Sequence, residues 1–121
     1  MRSQWITHNG KQIFYQNFSG VDIGHSESVV AELQAVQAEV VKQAHHSVCV
    51  LADFRETSIG RDLLQAMTES SNLTKSHVRK TAVLGITGTK RMMANLLMSV
   101  TRQDLRMFED ETKAKDWLAE D

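Results

Sequence analysis

A chain of 121 residues has room for one domain, spanning 1–121, and roughly two-thirds of its unfolded surface can be buried without covalent staples. Its 14 basic residues stand against 15 acidic ones, so it lacks the basic surplus that draws proteins to nucleic acid or acidic lipid. A single cysteine excludes an internal disulfide and every multi-cysteine zinc site, and no apolar run reaches the ~18 residues that cross a bilayer.

The N-terminus has no apolar signal core, and a cytoplasmic protein is expected. Proline is absent, so glycine, Asn, Asp, Ser and Thr must make the turns. The first element is a hairpin. Trp5 to His8 reads as a strand, Asn9-Gly10 is a strong two-residue hairpin signal, and 11–18 returns with Ile13, Phe14, Tyr15 and Phe18. Val29, Leu33, Val36 and Val40 then recur at helical spacing and predict an amphipathic helix over about 26–44. Glu32, Gln37, Glu39 and Gln43 are expected mostly off its apolar stripe.

Residues 46–53 contain a continuous apolar run, Val48 to Ala52, the mark of a strand covered on both faces. A polar loop, 55–58, leads to a helix carrying Leu63, Leu64 and Met67, expected to fray from Thr68 to Lys75. A second buried strand is read over 81–86, a helix over 90–100 and a short strand over 104–108. Asp110 is placed to cap a last helix, 111–120. The order is β-β-α-β-α-β-α-β-α. It predicts an α/β fold with a small mixed sheet of about five strands, an N-terminal hairpin plus parallel strands, and four helices.

Function in open α/β sheets usually sits beyond the carboxyl ends of the strands. Asp53 ends one such strand, and Thr57 and Ser58 follow at the expected start of a helix, flanked by Arg55 and Arg61. A hydroxyl there serves either as an N-cap or as a phosphate site that the two arginines could pair. Asp53 reads as a carboxylate that organises the loop. The turn Gly85, Thr87, Gly88, Thr89 and Lys90 has the outline of an anion- or ligand-binding loop, but lacks the spacing of a nucleotide-binding motif. A glycine turn in which Thr87 and Thr89 act as caps is enough to explain it. The histidines are scattered or adjacent, so no metal site and no cofactor are expected. Cys49 reads as a small buried hydrophobe.

The chain resembles a STAS domain, and more closely the SpoIIAA-like branch grouped with STAS/SEC14 proteins. The residues that carry the resemblance are 48–54, Thr57-Ser58, 82–88, Phe108-Glu109-Asp110 and the closing Ala114-Lys115-Asp116-Trp117-Leu118. The resemblance implies a non-enzymatic regulatory domain that binds another protein, an anti-sigma factor or a kinase-like regulator. In such antagonists a serine of an Asp-Ser-Ser-Gly motif is phosphorylated. Here Ser58 takes that place, with Thr57 as the alternative, while Glu56 and Ile59 replace the motif's aspartate and glycine. The SEC14 relationship implies a second reading, a small ligand or lipid held between sheet and helices. The hairpin edge and the helix bearing Met92, Met93 and Met98 each offer a surface for a homodimer.

Overall fold

Hairpin chemistry sets the first pair of strands. A computed structural model describes residues 1–21, 26–57, 60–86 and 105–120. In it β1 (Gln4–His8) runs antiparallel to β2 (Lys11–Asn17), with His8 opposite Lys11 across the turn. Both turn residues have positive φ, 50° at Asn9 and 78° at Gly10, as the tight hairpin requires. From there every neighbour is parallel. β2 pairs with β3 (Val48–Asp53), β3 with β4 (Val78–Leu84), and β4 with β5 (Leu105–Phe108), giving a sheet in sequence order β1-β2-β3-β4-β5. The expected mixed sheet of five strands is present.

The continuous apolar run of β3 is buried at all six positions, because alternate side chains enter two different cores. Val50 and Ala52 pack with Phe14 and Val83 under α1 (Ser26–Val40) and α2 (Arg61–Thr74). Cys49 and Leu51 pack with Ile13, Ala82 and Leu84 under α3 (Glu111–Ala119). Val29, Leu33, Val36 and Val40 are all buried, as their spacing requires. Asp110 caps α3, accepting from the backbone N–H groups of Thr112 and Lys113 at 2.8 and 3.2 Å. Among the described residues no helix is long and apolar enough to cross a membrane.

Several boundaries differ from the sequence reading. The first helix stops at Val40 rather than near 44, where tighter bonds take over, from Lys42 N–H to Glu39 and from Gln43 N–H to Val40. His46, at φ 56°, then turns the chain, so β3 starts at Val48 and not at 46. β4 starts three residues earlier than expected, at Val78, and ends before Gly85 at φ 85°. The second helix does not fray at Thr68. Thr68 and Thr74 donate their hydroxyls to the carbonyls of Leu64 and Ser70, both at 2.9 Å, so the polar stretch is satisfied within the helix. Three helices are described. The expected fourth, over 90–100, lies outside the described residues.

Glu32 is the main correction to the expected faces, since it is buried rather than turned outward. Its carboxylate accepts from the backbone N–H of Arg2 at 3.1 Å, from that of Ser3 at 2.8 Å and from the Ser3 hydroxyl at 2.6 Å. The N-terminal residues are thereby pinned to α1. Burial works to raise the Glu32 pKa, but these hydrogen bonds and the N-terminal ammonium outweigh it and hold the carboxyl below its ordinary value of 4.5. The stabilisation is therefore complete above that ordinary value and is lost as pH falls through the lower folded value. Glu32→Ala should cost roughly 2–3 kcal/mol by orphaning these donors. Denaturant melts at pH 7 and pH 3 should show the difference between wild type and variant shrinking at the acid end.

Candidate functional site

The carboxyl ends of β2, β3 and β4 lie side by side, and their exit loops are bonded to one another. Phe18 N–H donates to the Asp53 carbonyl, Gly20 N–H to that of Arg55, and Phe54 N–H to that of Leu84, each at 2.9 Å. The Phe18 and Phe54 rings stack beneath, with centroids 4.9 Å apart. Gly85 allows the closest of these approaches. A Cβ at that position would lie 2.5 Å from the Arg55 nitrogen and 2.6 Å from its Cα, and φ is 85°. Only glycine meets both demands without strain.

Asp53 lies at the centre of this end of the sheet. Its residue is 1% exposed, and four donors surround its carboxylate. Tyr15 donates its hydroxyl at 2.7 Å, Arg55 its backbone N–H at 3.0 Å, and the Arg55 guanidinium donates Nε at 3.0 Å and Nη2 at 2.8 Å. Burial works to raise the Asp53 pKa, but the Arg55 and Tyr15 hydrogen bonds outweigh it and hold the group ionised well into acid. Arg55 Nη2 also donates to Glu111 Oε1 at 2.8 Å, and Glu111 accepts from Lys115 Nζ at 2.9 Å. The Lys115 bond, ahead of that from Arg55, depresses the Glu111 pKa. A line of bonds thus runs from β2 through β3 to the first turn of α3.

Thr57 is buried and stands three residues before the α2 N-cap, which is Gly60 and carries no side-chain cap. Its hydroxyl donates to the Phe18 carbonyl and accepts from Val21 N–H at 3.4 Å. The threonine expected at the start of the helix therefore joins two loops instead. Between Arg55 and Thr57, Glu56 is exposed and left-handed at φ 58°, an uncommon conformation for a residue with a Cβ.

The profile of the SpoIIAA-like family matches residues 24–119. The chain belongs to the SpoIIAA-like family. Searches of curated proteins and of solved structures returned no match. In this SpoIIAA-like chain the predicted site divides. Asp53 and Arg55 meet in one ion pair, whereas among the described residues the buried Thr57 hydroxyl reaches only backbone groups, the carbonyls of Phe18 and Arg55 and the N–H of Val21. Arg61 is exposed on the first turn of α2, and among the described residues the ion pairs of Arg55 do not reach it. Ser58 lies outside the described residues, as do Thr87, Gly88, Thr89 and Lys90. Of the second predicted turn, Gly85 is described, and its role is the contact with Arg55. Tyr15 and Glu111 were missed because no local motif marks either. Placing them takes the β2–β3 register and the position of α3.

Gly85→Ala should lose about 2 kcal/mol or more, from strain and overlap, measured by chemical denaturation. Tyr15 gives a second measurement, because it is the chain's only tyrosine. Burial, the Asp53 hydrogen bond and the Asp53 charge push its pKa up to about 12. A raised folded pKa means the stabilisation is complete below the ordinary value near 10 and is lost as pH climbs from there through about 12. Absorbance titration at 295 nm should show a midpoint close to 12 in the wild type. In Asp53→Ala it should fall part of the way towards 10, since burial remains.

Proposed function

We propose that this SpoIIAA-like chain is a non-enzymatic regulatory domain whose loop after β3 docks a signalling partner, in the manner of an anti-sigma factor antagonist. The carrying observation is the fixed geometry of residues 54–57 in that loop. Its backbone is bonded to the exits of β2 and β4, the Thr57 hydroxyl is committed inward, and exposed Glu56 is held in a strained left-handed conformation. Strain of this kind persists only where the surroundings over-determine it, and it concentrates at binding surfaces and switches. A surface already held in one shape loses little conformational entropy when a partner docks.

In this reading Ser58 is the switch and Thr57 is not, because the Thr57 hydroxyl is buried and bonded to Phe18. A phosphate on Ser58 would add nearly two negative charges two positions along the chain from Glu56 and oppose docking by repulsion and desolvation. The test is a capture from host lysate with wild type, Ser58→Ala and Ser58→Asp as baits, read by mass spectrometry. The expected result is a kinase-like or anti-sigma partner retained by wild type and Ser58→Ala and lost by Ser58→Asp. Equal recovery on all three baits would refute the switch.

A further inference from the structure

The two edge strands of the sheet differ in kind. β5 carries the exposed Arg106 within its four residues, and a charge on an edge discourages a further strand from pairing there. β1, at the other edge, reads Gln4-Trp5-Ile6-Thr7-His8 and has no carboxylate, lysine, arginine or proline. Its register against β2 runs unbroken, so no bulge twists the edge away either. Its titratable residue, His8, is held by Asp116 of α3 at 2.6 Å. Thr7 is exposed, and Trp5, stacked on Phe14 with ring centroids 4.7 Å apart, is still 36% exposed.

The direction of the β1 backbone groups follows from the hairpin. His8 and Lys11 flank a two-residue turn and so form its closing bonded pair, which turns Gln4, Ile6 and His8 towards β2 and Ser3, Trp5 and Thr7 away from it. The Asn17 N–H, turned to Ser3, and the Phe18 N–H, turned to Asp53, agree with that phase. Glu32 takes up the outward N–H of Ser3. Among the described residues no turn, loop or cap bond takes up the backbone of Trp5 or Thr7.

We propose that β1 is a dimer interface, pairing antiparallel with β1 of a second copy to make one continuous sheet. The outward groups fix the register. Trp5 of each copy lies opposite Thr7 of the other, which sets Ile6 against Ile6 on the two-fold axis. A charge beside that axis would meet its own copy, and this strand brings no carboxylate, lysine or arginine to it. The two Trp5 rings become diagonal neighbours on the face that α1 covers, within reach of each other across the axis. The interface is on the far side of β2 from the loop after β3 and stands whether or not Ser58 is a switch.

The test combines sedimentation equilibrium of the full chain with disulfide trapping. Wild type and Thr7→Val should dimerise as concentration rises. Thr7→Lys sets two lysines on diagonal positions across the axis and should weaken the dimer at least ~10-fold. It should stay folded by circular dichroism, because Thr7 is exposed. Ile6→Cys puts two thiols on the axis at a Cα separation of about 4.5 Å, within disulfide range, and should cross-link under mild oxidation. Gln4→Cys, about 14 Å from its own copy in that register, should not. Cys49, the native cysteine, is buried. A chain that stays monomeric at millimolar concentration would overturn the interface in favour of a strand from another protein. A dimer that survives Thr7→Lys, or that does not trap Ile6→Cys in preference to Gln4→Cys, would overturn it in favour of another face.

Discussion

An ionised carboxylate with 1% exposure has to be solvated by the protein, and at Asp53 that requirement organises one end of the molecule. Water is replaced by four donors from two strands' worth of chain, Tyr15 on β2 and Arg55 just past β3. Arg55 can reach back only because the chain turns sharply after Phe54. That turn brings its backbone onto Gly85, within the distance that only a missing Cβ permits. The carboxylate, the glycine and the left-handed Glu56 are therefore consequences of one packing arrangement. The same guanidinium extends to Glu111 and ties the start of α3 to it, so the last helix is held at its first turn as well as through Ala114 and Leu118.

This arrangement commits the Asp53 carboxylate and the Thr57 hydroxyl to contacts within the fold. A general base needs a proton to take and an accessible lone pair. The Asp53 oxygens are filled by Tyr15 and Arg55, and its pKa is pushed down, away from the working range of a base. Thr57 likewise gives its hydrogen to Phe18. Surface charge at this end is left to groups such as Arg55, whose side chain is 45% exposed, and Glu56. Such a surface is suited to recognising charge on another protein.

Features that depend on local pattern were legible in the sequence. The Asn9-Gly10 hairpin, the doubly covered β3, the Val29-to-Val40 stripe and the Asp110 cap each follow from spacing or from one residue's conformational preference. Glu32 was misplaced although its position was readable. It stands three residues after Val29 and four before Val36, which is the spacing of the buried stripe itself, and its charge argued it outward. What the charge could not reveal is that the N-terminal residues return to solvate it. The Tyr15–Asp53–Arg55–Glu111 line was illegible for a related reason. Its members are separated by up to 96 positions, from 15 to 111, and only strand register and helix placement bring them together. Polar helix composition misled in the opposite direction, because Thr68 and Thr74 bond within α2 rather than ending it.

The two faces of the sheet follow different packing logic. On the α3 face small and large side chains meet closely, with Ala82 and Ala114 both fully buried between Leu51, Leu84 and Leu118. That face is also fastened by ion pairs at Glu111, so it has little freedom to change. The α1–α2 face takes its core from longer helices and from a larger set of buried side chains among the described residues. β3 contributes to both, through Val50 and Ala52 on one side and Cys49 and Leu51 on the other, and it ends in Asp53. The packing under α1 and α2 is therefore carried by the same strand that holds the loop after Asp53. That shared strand ties the packing under α1 and α2 to the position of the loop after Asp53.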